Sequence, residues 1–437
     1  MTDQFTAWFR GASPYINAHR GRIIVLHVGG ELVEHAGFPH LIHDISLLNS
    51  LGIRLVLVHG IRPQVERRTT ELGIATRLHK GLRVTGDAEL AVVKEAAGAV
   101  RVEIEALLSM GLANSPMAGA RIRVTSGNFI VARPLGVIEG VDFRHTGEIR
   151  RVDVGGIQDQ LNQGAVVVVS PIGYSPTGEA FNLSGEAVAT ALSLCLGAAK
   201  LMLLGSGEAL TDGIGRPLRQ LSLEQARALL DADIPGLGPT ERHHLENAIH
   251  AGEFGVERVH LLDGRTDGAL LKELFTRDGV GTLVSADRYE SLRPATIEDI
   301  GGLLELLEPL EQDGTLVRRP REKLEQEIDH FVVMERDGTI IGCAARYPSD
   351  SVEAQELACL VVHPDYRRGG LGETLLDRVE SDAAAAGAGR MFVLTTRTAH
   401  WFRERGYESG EVDDLPLARR QGYNQQRNSK VLIKALG

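Results

Sequence analysis

The residues of this chain best suited to chemistry lie between Glu356 and Gly372, a stretch that reads ELACLVVHPDYRRGGLG. Residues 357–362 form a short apolar run and His363-Pro364 stops it, which predicts a buried strand ending in a turn. Arg367 and Arg368 follow, then Gly369, Gly370, Leu371 and Gly372, and then an amphipathic run from Glu373 to Ala385. Glycines permit positive φ and close approach, and the amides that open the next helix turn partial positive charge toward an anion. Strand, loop and helix in that order could hold a diphosphate. The spacing is neither GxGxxG nor GxxxxGK[ST], so a dinucleotide fold and a P-loop both fit poorly. Elsewhere arginines gather at Arg318-Arg319, at Arg419-Arg420 and at Arg427, outside the regular pattern. Each is a planar fork that could grip a carboxylate, or else a solvated surface charge.

The glycine loop resembles the R-x-x-G-x-G signature of the GNAT superfamily of N-acetyltransferases, with Arg367, Gly370 and Gly372 in the defining places. The resemblance implies acetyl-CoA as cosubstrate and no metal. Its diphosphate would be held by Arg367, Arg368, Gly369, Gly370, Leu371, Gly372 and Glu373, and its pantetheine arm would lie along Leu360, Val361 and Val362. An amine attacks a thioester only as the free base, and an α-amino group is largely protonated at neutral pH. Glu356 is therefore either the general base, acting directly or through a water, or a solvated strand-end carboxylate. Many members protonate the departing thiolate with a tyrosine four residues before a late glycine; here the position before Gly406 is Phe402. Thr395, with Thr396 beside it, is the nearest hydroxyl candidate. Strand faces alternate, so only one of the two can point into the cleft. A weak acid suffices because a thiolate, with a pKa near ~8.5, already leaves well.

At 437 residues the chain has room for two or three domains, and 43% hydrophobic with 24% charged residues is globular composition. A net charge of −11 argues against nucleic acid as a partner, since neutralising phosphates needs a basic face. Cys195, Cys343 and Cys359 sit in apolar surroundings with no CxxC, which predicts reduced thiols in a cytoplasmic protein and no metal site. The first residues lack the basic and apolar regions of a signal peptide, and no apolar run reaches the ~20 residues of a membrane span.

Residues 1–20 are an arm carrying Phe5, Trp8, Phe9, Tyr15 and Ile16, which could dock on a partner subunit or on the chain's own domain. From Arg22 strand signals at 23–28, 55–59, 166–170, 200–204 and 256–262 alternate with helical stretches such as 86–110. That predicts a mostly parallel α/β sandwich over residues 21–286, with ligands expected where strands end in Gly29-Gly30 and His59-Gly60. This part resembles the amino acid kinase family in Gly29-Gly30, in HKGLRVTG at 79–86, in SGNFIVARPLG at 126–136 and in FNLSGEAVATALS at 181–193. The segment VHLLDGRTDGALLKELFTRDGVGTLV at 259–284 is similar to the ending of arginine-sensitive kinases. The resemblance implies an arginine site formed by Tyr15, Glu273 and the backbone near Gly279, against the alternative that Glu273 is solvated helix surface. The kinase residues themselves are altered. His27 replaces the lysine before the glycine pair, Gly60-Ile61-Arg62 replaces a glycine run, Ser184 replaces an aspartate, and a second lysine falls near His244. Phosphoryl transfer depends on positioned charge that a neutral histidine and a serine do not supply.

A polar connector at 287–292 separates a second pattern at 293–437. Thr296 and Asp299 stand as an N-cap pair before the run 303–307, helices are expected near 297–308 and 321–329, and strands at 330–335 and 339–346 flank a hairpin turn at Asp337-Gly338. With a strand at 391–395, a helix at 398–405 and a final strand at 430–436, the order matches a GNAT domain. A kinase-like sandwich followed by a GNAT domain, with LVRRPREKLE at 316–325, FVLTTRTAHWFRERGY at 392–407 and YNQQRNSKVL at 423–432, resembles the bacterial N-acetylglutamate synthase family over nearly the whole chain. That resemblance implies acetyl transfer to the α-amino group of glutamate, inhibition by arginine, and a homo-oligomer with a hexamer as the expected size. It implies a glutamate site of Leu316, Arg318 or Arg319, Arg419 and Arg427. Two other readings stay open here: a bifunctional synthase and kinase, for which Arg83 and Asn182 speak, and a non-catalytic arginine-binding sensor. With His27 and Ser184 in place, the purified protein should release no ADP from ATP when given N-acetylglutamate; a coupled ADP assay above background would overturn this.

Overall fold

The computed structural model describes residues 4–79, 81–111, 115, 117–207, 210–211, 216–232, 237–276, 279–285, 291–336, 339–349, 353–366 and 370–436. The chain divides into two units, Met1–Arg288 and Tyr289–Gly437. In the first, an eight-stranded sheet runs in the order Gln220–Ser222, Thr282–Ser285, Arg258–Asp263, Lys200–Gly205, Ile23–Val28, Arg54–His59, Val166–Val169, Val124–Thr125. Neighbours pair in parallel except Arg258–Asp263 with Thr282–Ser285. All six residues of Ile23–Val28 are buried, which is why this strand reads as a continuous apolar run. Side chains alternate across it: Ile24, Leu26 and Val28 enter one core with Ile45 and Val93, and Ile23 and Val25 enter another with Val188 and Leu192. Helices Phe38–Ser50 and Asp87–Leu108 thus cover one face and Gly185–Leu196 the other. A second sheet of Ala180–Asn182, Ile172–Tyr174, Ile130–Pro134 and Gly147–Val152 is invisible to periodicity, because its strands are short and mixed in burial. The aromatic arm is a helix, Gln4–His19. Tyr15 and Ile16 pack on the first core and Trp8 and Phe9 are exposed, so both expected modes of docking keep a face.

The second unit has a seven-stranded sheet in the order Ser291–Pro294, Phe331–Arg336, Thr339–Pro348, Ala354–Val362, Arg390–Thr395, Lys430–Ala435, Glu408–Gly410. Only Ala354–Val362 and Arg390–Thr395 run parallel, and they pair no further than Leu357 with Val393. Beyond that point the central strand pairs, among the described residues, with Thr339–Pro348, across a register shift where Cys359 takes φ 51°. A left-handed conformation at a non-glycine residue costs about 1 kcal/mol and bends the strand away from its former neighbour. Helix Leu371–Ala385 covers one face through Leu375, Leu376 and Val379, and helix Ile300–Gln312 covers the other through Leu303 and Leu307.

Several expected boundaries move for identifiable reasons. The central strand begins at Ala354, because Ala354 and Gln355 pair with Arg390 and Met391, so Glu356 lies inside it rather than before it. The helix after the glycine loop starts at Leu371, capped by Gly370 in the left-handed region at φ 72°, which a side chain would strain. Ser285 ends one strand, and Ser291 and Leu292 pair with Glu335 and Met334, so the connector is narrower than its polarity suggests. The hairpin Asp337-Gly338 lies outside the described residues, as do 286–290.

The expected cap at Thr296 is part of a charge network. Asp299 receives the Thr296 amide at 2.7 Å and the Arg293 fork at 2.7 and 2.8 Å, and Arg293 also reaches Glu335 at 2.6 Å. The fork holds the buried Asp299 carboxyl down at about 2, from an ordinary 3.8. A depressed carboxyl stabilises the fold above its unfolded pKa and loses that contribution as pH falls through the folded one. Asp299→Ala should therefore cost about 2 kcal/mol in urea denaturation at neutral pH, with the gap to wild type closing between pH 4 and 2.

Candidate functional site

Glu356 sits mid-strand, between Tyr347 on one neighbour and Phe392 on the other. Its carboxylate is mostly buried and faces Arg419, from the short helix Leu417–Gln421: Nη2 donates to Oε1 at 2.9 Å and Nε lies 2.8 Å from Oε2. The second contact is a charge contact, since Nε lacks hydrogen-bond alignment. Sequence reasoning gave these two residues separate roles, as base and as substrate ligand; the fold brings them into direct contact. Arg427 is half-buried and donates from Nη2 to the carbonyl oxygen of Thr315, which ties its segment to the one carrying Leu316, Arg318 and Arg319. Of that doublet Arg318 is exposed, while Arg319 is half-buried, with its amide on Glu311 Oε1 at 2.9 Å and its charge felt by Tyr347 and Cys359. Leu316 is half-buried against the core under helix Ile300–Gln312. Burial raises the Tyr347 phenol well above its usual range, and its hydroxyl donates to Glu327 at 2.7 Å. Tyr347 and Glu327 were not singled out by sequence; the pairing of Tyr347 with Glu356 and its bond to Glu327 reveal them.

Thr395 is buried at the end of its strand. Its hydroxyl lies 2.8 Å from that of Thr398 and accepts from the Thr398 amide at 3.1 Å, so it organises the following turn. It keeps step with Met391 and Val393, which face helix Leu371–Ala385, whereas Glu356 pairs with Phe392 on the opposite face. Phe402, in the place expected for a tyrosine, is core. Leu360 and Val362 are half-buried and Val361 buried, on the part of the central strand past Leu357, where pairing with Arg390–Thr395 has ended. Gly370, Leu371, Gly372 and Glu373 form the cap and first turn of the helix; Arg367, Arg368 and Gly369 lie outside the described residues.

In the first unit a cavity of about 570 Å³ opens at the strand ends, lined by Gly29, Gly30 and Gly60 together with His27, Arg62, Arg83, Asn182, Glu186 and His243. Glu186 would be raised by burial, but His27, His243 and Ser184 outweigh this and lower it. Ser184 caps helix Gly185–Leu196, accepting from the Ala187 amide at 3.2 Å. Glu273 is not helix surface: Oε1 meets His260 Nδ1 at 2.6 Å and Oε2 accepts from the Val280 and Gly281 amides at 2.7 and 2.8 Å. Burial raises this carboxyl, but the His260 ring and the two amides hold it at about 2. Gly279, at φ 59°, closes the loop so tightly that a Cβ there would meet Glu273 Oε2 at 2.4 Å. Lys200 Nζ stands 3.4 Å from His260 Nε2, extending the network to a buried lysine that sequence reasoning missed. Helix Gln4–His19, which carries Tyr15, reaches the same helix as Glu273 through His19 Nε2 and the Leu274 carbonyl at 3.0 Å.

Residues 22–249 match the amino acid kinase family and residues 327–409 the acetyltransferase (GNAT) domain. The chain is 53% identical over 433 residues to the amino-acid acetyltransferase of Ectopseudomonas mendocina, covering 99% of each. It is 54% identical over 435 residues to that of Azotobacter vinelandii, again covering 99% of each. The chain belongs to the amino-acid acetyltransferase family. Among solved structures, the family likeness extends to N-acetylglutamate synthase from Neisseria gonorrhoeae complexed with coenzyme A and L-arginine, at 38% identity and a TM-score of 0.90 over 99% of this chain and 100% of that one. The same enzyme complexed with coenzyme A and N-acetyl-glutamate matches at 38% identity and a TM-score of 0.63, over 100% of both chains. The family assignment makes the second unit an acetyltransferase and removes the reading of the whole chain as a sensor alone. Among the described residues no helix is long and apolar enough to cross a membrane.

Proposed function

We propose that the chain transfers the acetyl group of acetyl-CoA to the α-amino group of L-glutamate, and that L-arginine inhibits it from the first unit. The carrying observation is the Glu356–Arg419 pair at the point where the central strand loses its parallel neighbour. Glutamate offers one ammonium and two carboxylates. Its α-ammonium can replace Arg419 at Glu356 while a carboxylate replaces Glu356 at Arg419, so one ion pair becomes two without leaving a charge unpaired. Arg427 and Arg319, on segments tied together through Thr315, are placed for the other carboxylate. Glu356 then accepts the ammonium proton, and the freed amine attacks the thioester carbon. Acetyl-CoA supplies that thioester, with its diphosphate on the glycine loop and first helical turn and its arm along Leu360–Val362. Thr395 serves the departing thiolate only if the turn it organises gives up its hydroxyl. That makes it the weaker of the two catalytic assignments.

For the inhibitor, Tyr15, Glu273 and Gly279 share one neighbourhood, which supports the assignment. Glu273 must exchange His260 or its two amides for a guanidinium. The exposed Trp8 and Phe9, on a helix whose other face is packed, support a homo-oligomer, for which a hexamer is the proposed size. A cytoplasmic location accords with three free cysteines, two of them buried.

Wild type should release CoA only when glutamate is added, and arginine should suppress it. Replacing Arg427 with alanine should raise the glutamate KM by tenfold or more, and Glu273→Ala should abolish suppression while sparing turnover. An unaltered KM or intact inhibition would remove those residues. Light scattering should return a mass several times that of one chain; a monomer would sink the oligomer.

A further inference from the structure

The first turn of helix Leu371–Ala385 abuts a ledge that the reading above does not use. The edge of Trp401 lies against Gly372, where a Cβ would meet the indole at 3.4 Å. Over the Trp401 ring lies the Arg405 guanidinium, its Cζ 4.0 Å from the ring centroid, and Nη1 donates to the Trp401 carbonyl oxygen at 3.0 Å. These two contacts fix the guanidinium and leave Nη2 without a hydrogen bond among the described residues. Nε is buried without a hydrogen-bond partner among the described residues, so the outward donor is Nη2. The neighbouring carboxylates, Glu373 and Glu404, stand at 3.7 and 3.6 Å, beyond hydrogen-bond length. A guanidinium held over an indole can still turn a terminal nitrogen outward, and that nitrogen can donate a charge-assisted bond to a phosphate.

Coenzyme A carries a diphosphate and, on its ribose, a 3′-phosphomonoester. The glycine loop and helix amides suit the diphosphate. The monoester is strongly anionic at neutral pH and calls for a cation beyond the helix amides. Only a few covalent bonds tether it to the diphosphate, so its cation must stand within a side chain's length of the helix's first turn. Arg405 does, being in loose contact with Glu373 of that turn. We propose that Arg405, held over Trp401, binds the ribose 3′-phosphate of coenzyme A. The proposal rests on acetyl-CoA being the cosubstrate. Glu373 and Glu404 repel the same phosphate, so the contact is one of discrimination rather than of bulk affinity.

The test uses the full chain with acetyl-CoA and 3′-dephospho-acetyl-CoA at saturating glutamate. Wild type should show a KM for the dephospho compound higher by on the order of tenfold, the value of one charge-assisted hydrogen bond. In Arg405→Gln the acetyl-CoA KM should rise to meet it, so that the two cosubstrates become alike, and Arg405→Lys should restore part of the preference. A merely structural role would raise both KM values together and keep their ratio. That outcome, or a wild type indifferent to the 3′-phosphate, overturns the proposal. Should glutamate support no turnover at all, the substrate reading fails separately. Calorimetric titration of wild type and Arg405→Gln with coenzyme A and 3′-dephospho-coenzyme A then decides the phosphate contact by the same ratio.

Discussion

The second unit depends on a strand that is paired on both edges for its first residues and on one edge for its last. Gln355–Leu357 are locked between two neighbours, which fixes Glu356 against rotation or slippage; Leu360–Val362 lie past the end of the parallel pairing. The switch is made by a single residue, Cys359, held in a left-handed conformation inside a buried core. Burial also pushes its thiol up to about 11, so the sulfur behaves as a small apolar group and adds no charge to the site. Rigid support upstream and an open edge downstream are what a group-transfer site needs, since one strand then fixes both the base and the channel for the donor.

The first unit shows the complementary case, a sheet that keeps its cavity while the groups lining it turn to other work. Arg83 reaches Glu66, Ser184 caps a helix, and His243 pairs with Glu186 at 3.5 Å. The field in that cavity is a balance of histidines, arginines and two glutamates, with no lysine among the described residues that line it. Around Glu273, the site proposed for the inhibitor, a buried carboxylate, a histidine and a lysine couple two strands, a helix and a loop.

What could be read from the chain without coordinates was whatever depends on neighbours in sequence. The Thr296 and Asp299 cap, the helix that follows the glycine loop and the continuous apolar strands are local, and each fell within a few residues of its place. Glu273 was open to misreading as surface because its partners arrive from His260 and from the backbone at 280–281, across a turn no periodicity reports. Thr395 was chosen for its chemistry, yet its hydroxyl goes to a turn two to three residues on. The meeting of Glu356 with Arg419, 63 positions apart, required the fold itself.

The cap at Ser184 bears on how such a chain could change over evolutionary time. Serine and aspartate end a helix equally well at that position, so drift between them is close to neutral for folding and the acidic residue of a phosphoryl-transfer site could return there without penalty. His27 is different: its ring packs against Gly185 so closely that a Cβ on the glycine would stand 2.7 Å from Nε2. The two positions are coupled, and a lysine at 27 would have to find its place beside a backbone already fitted to an imidazole. A phosphoryl-transfer site would therefore meet little resistance at position 184 and be opposed by packing at position 27.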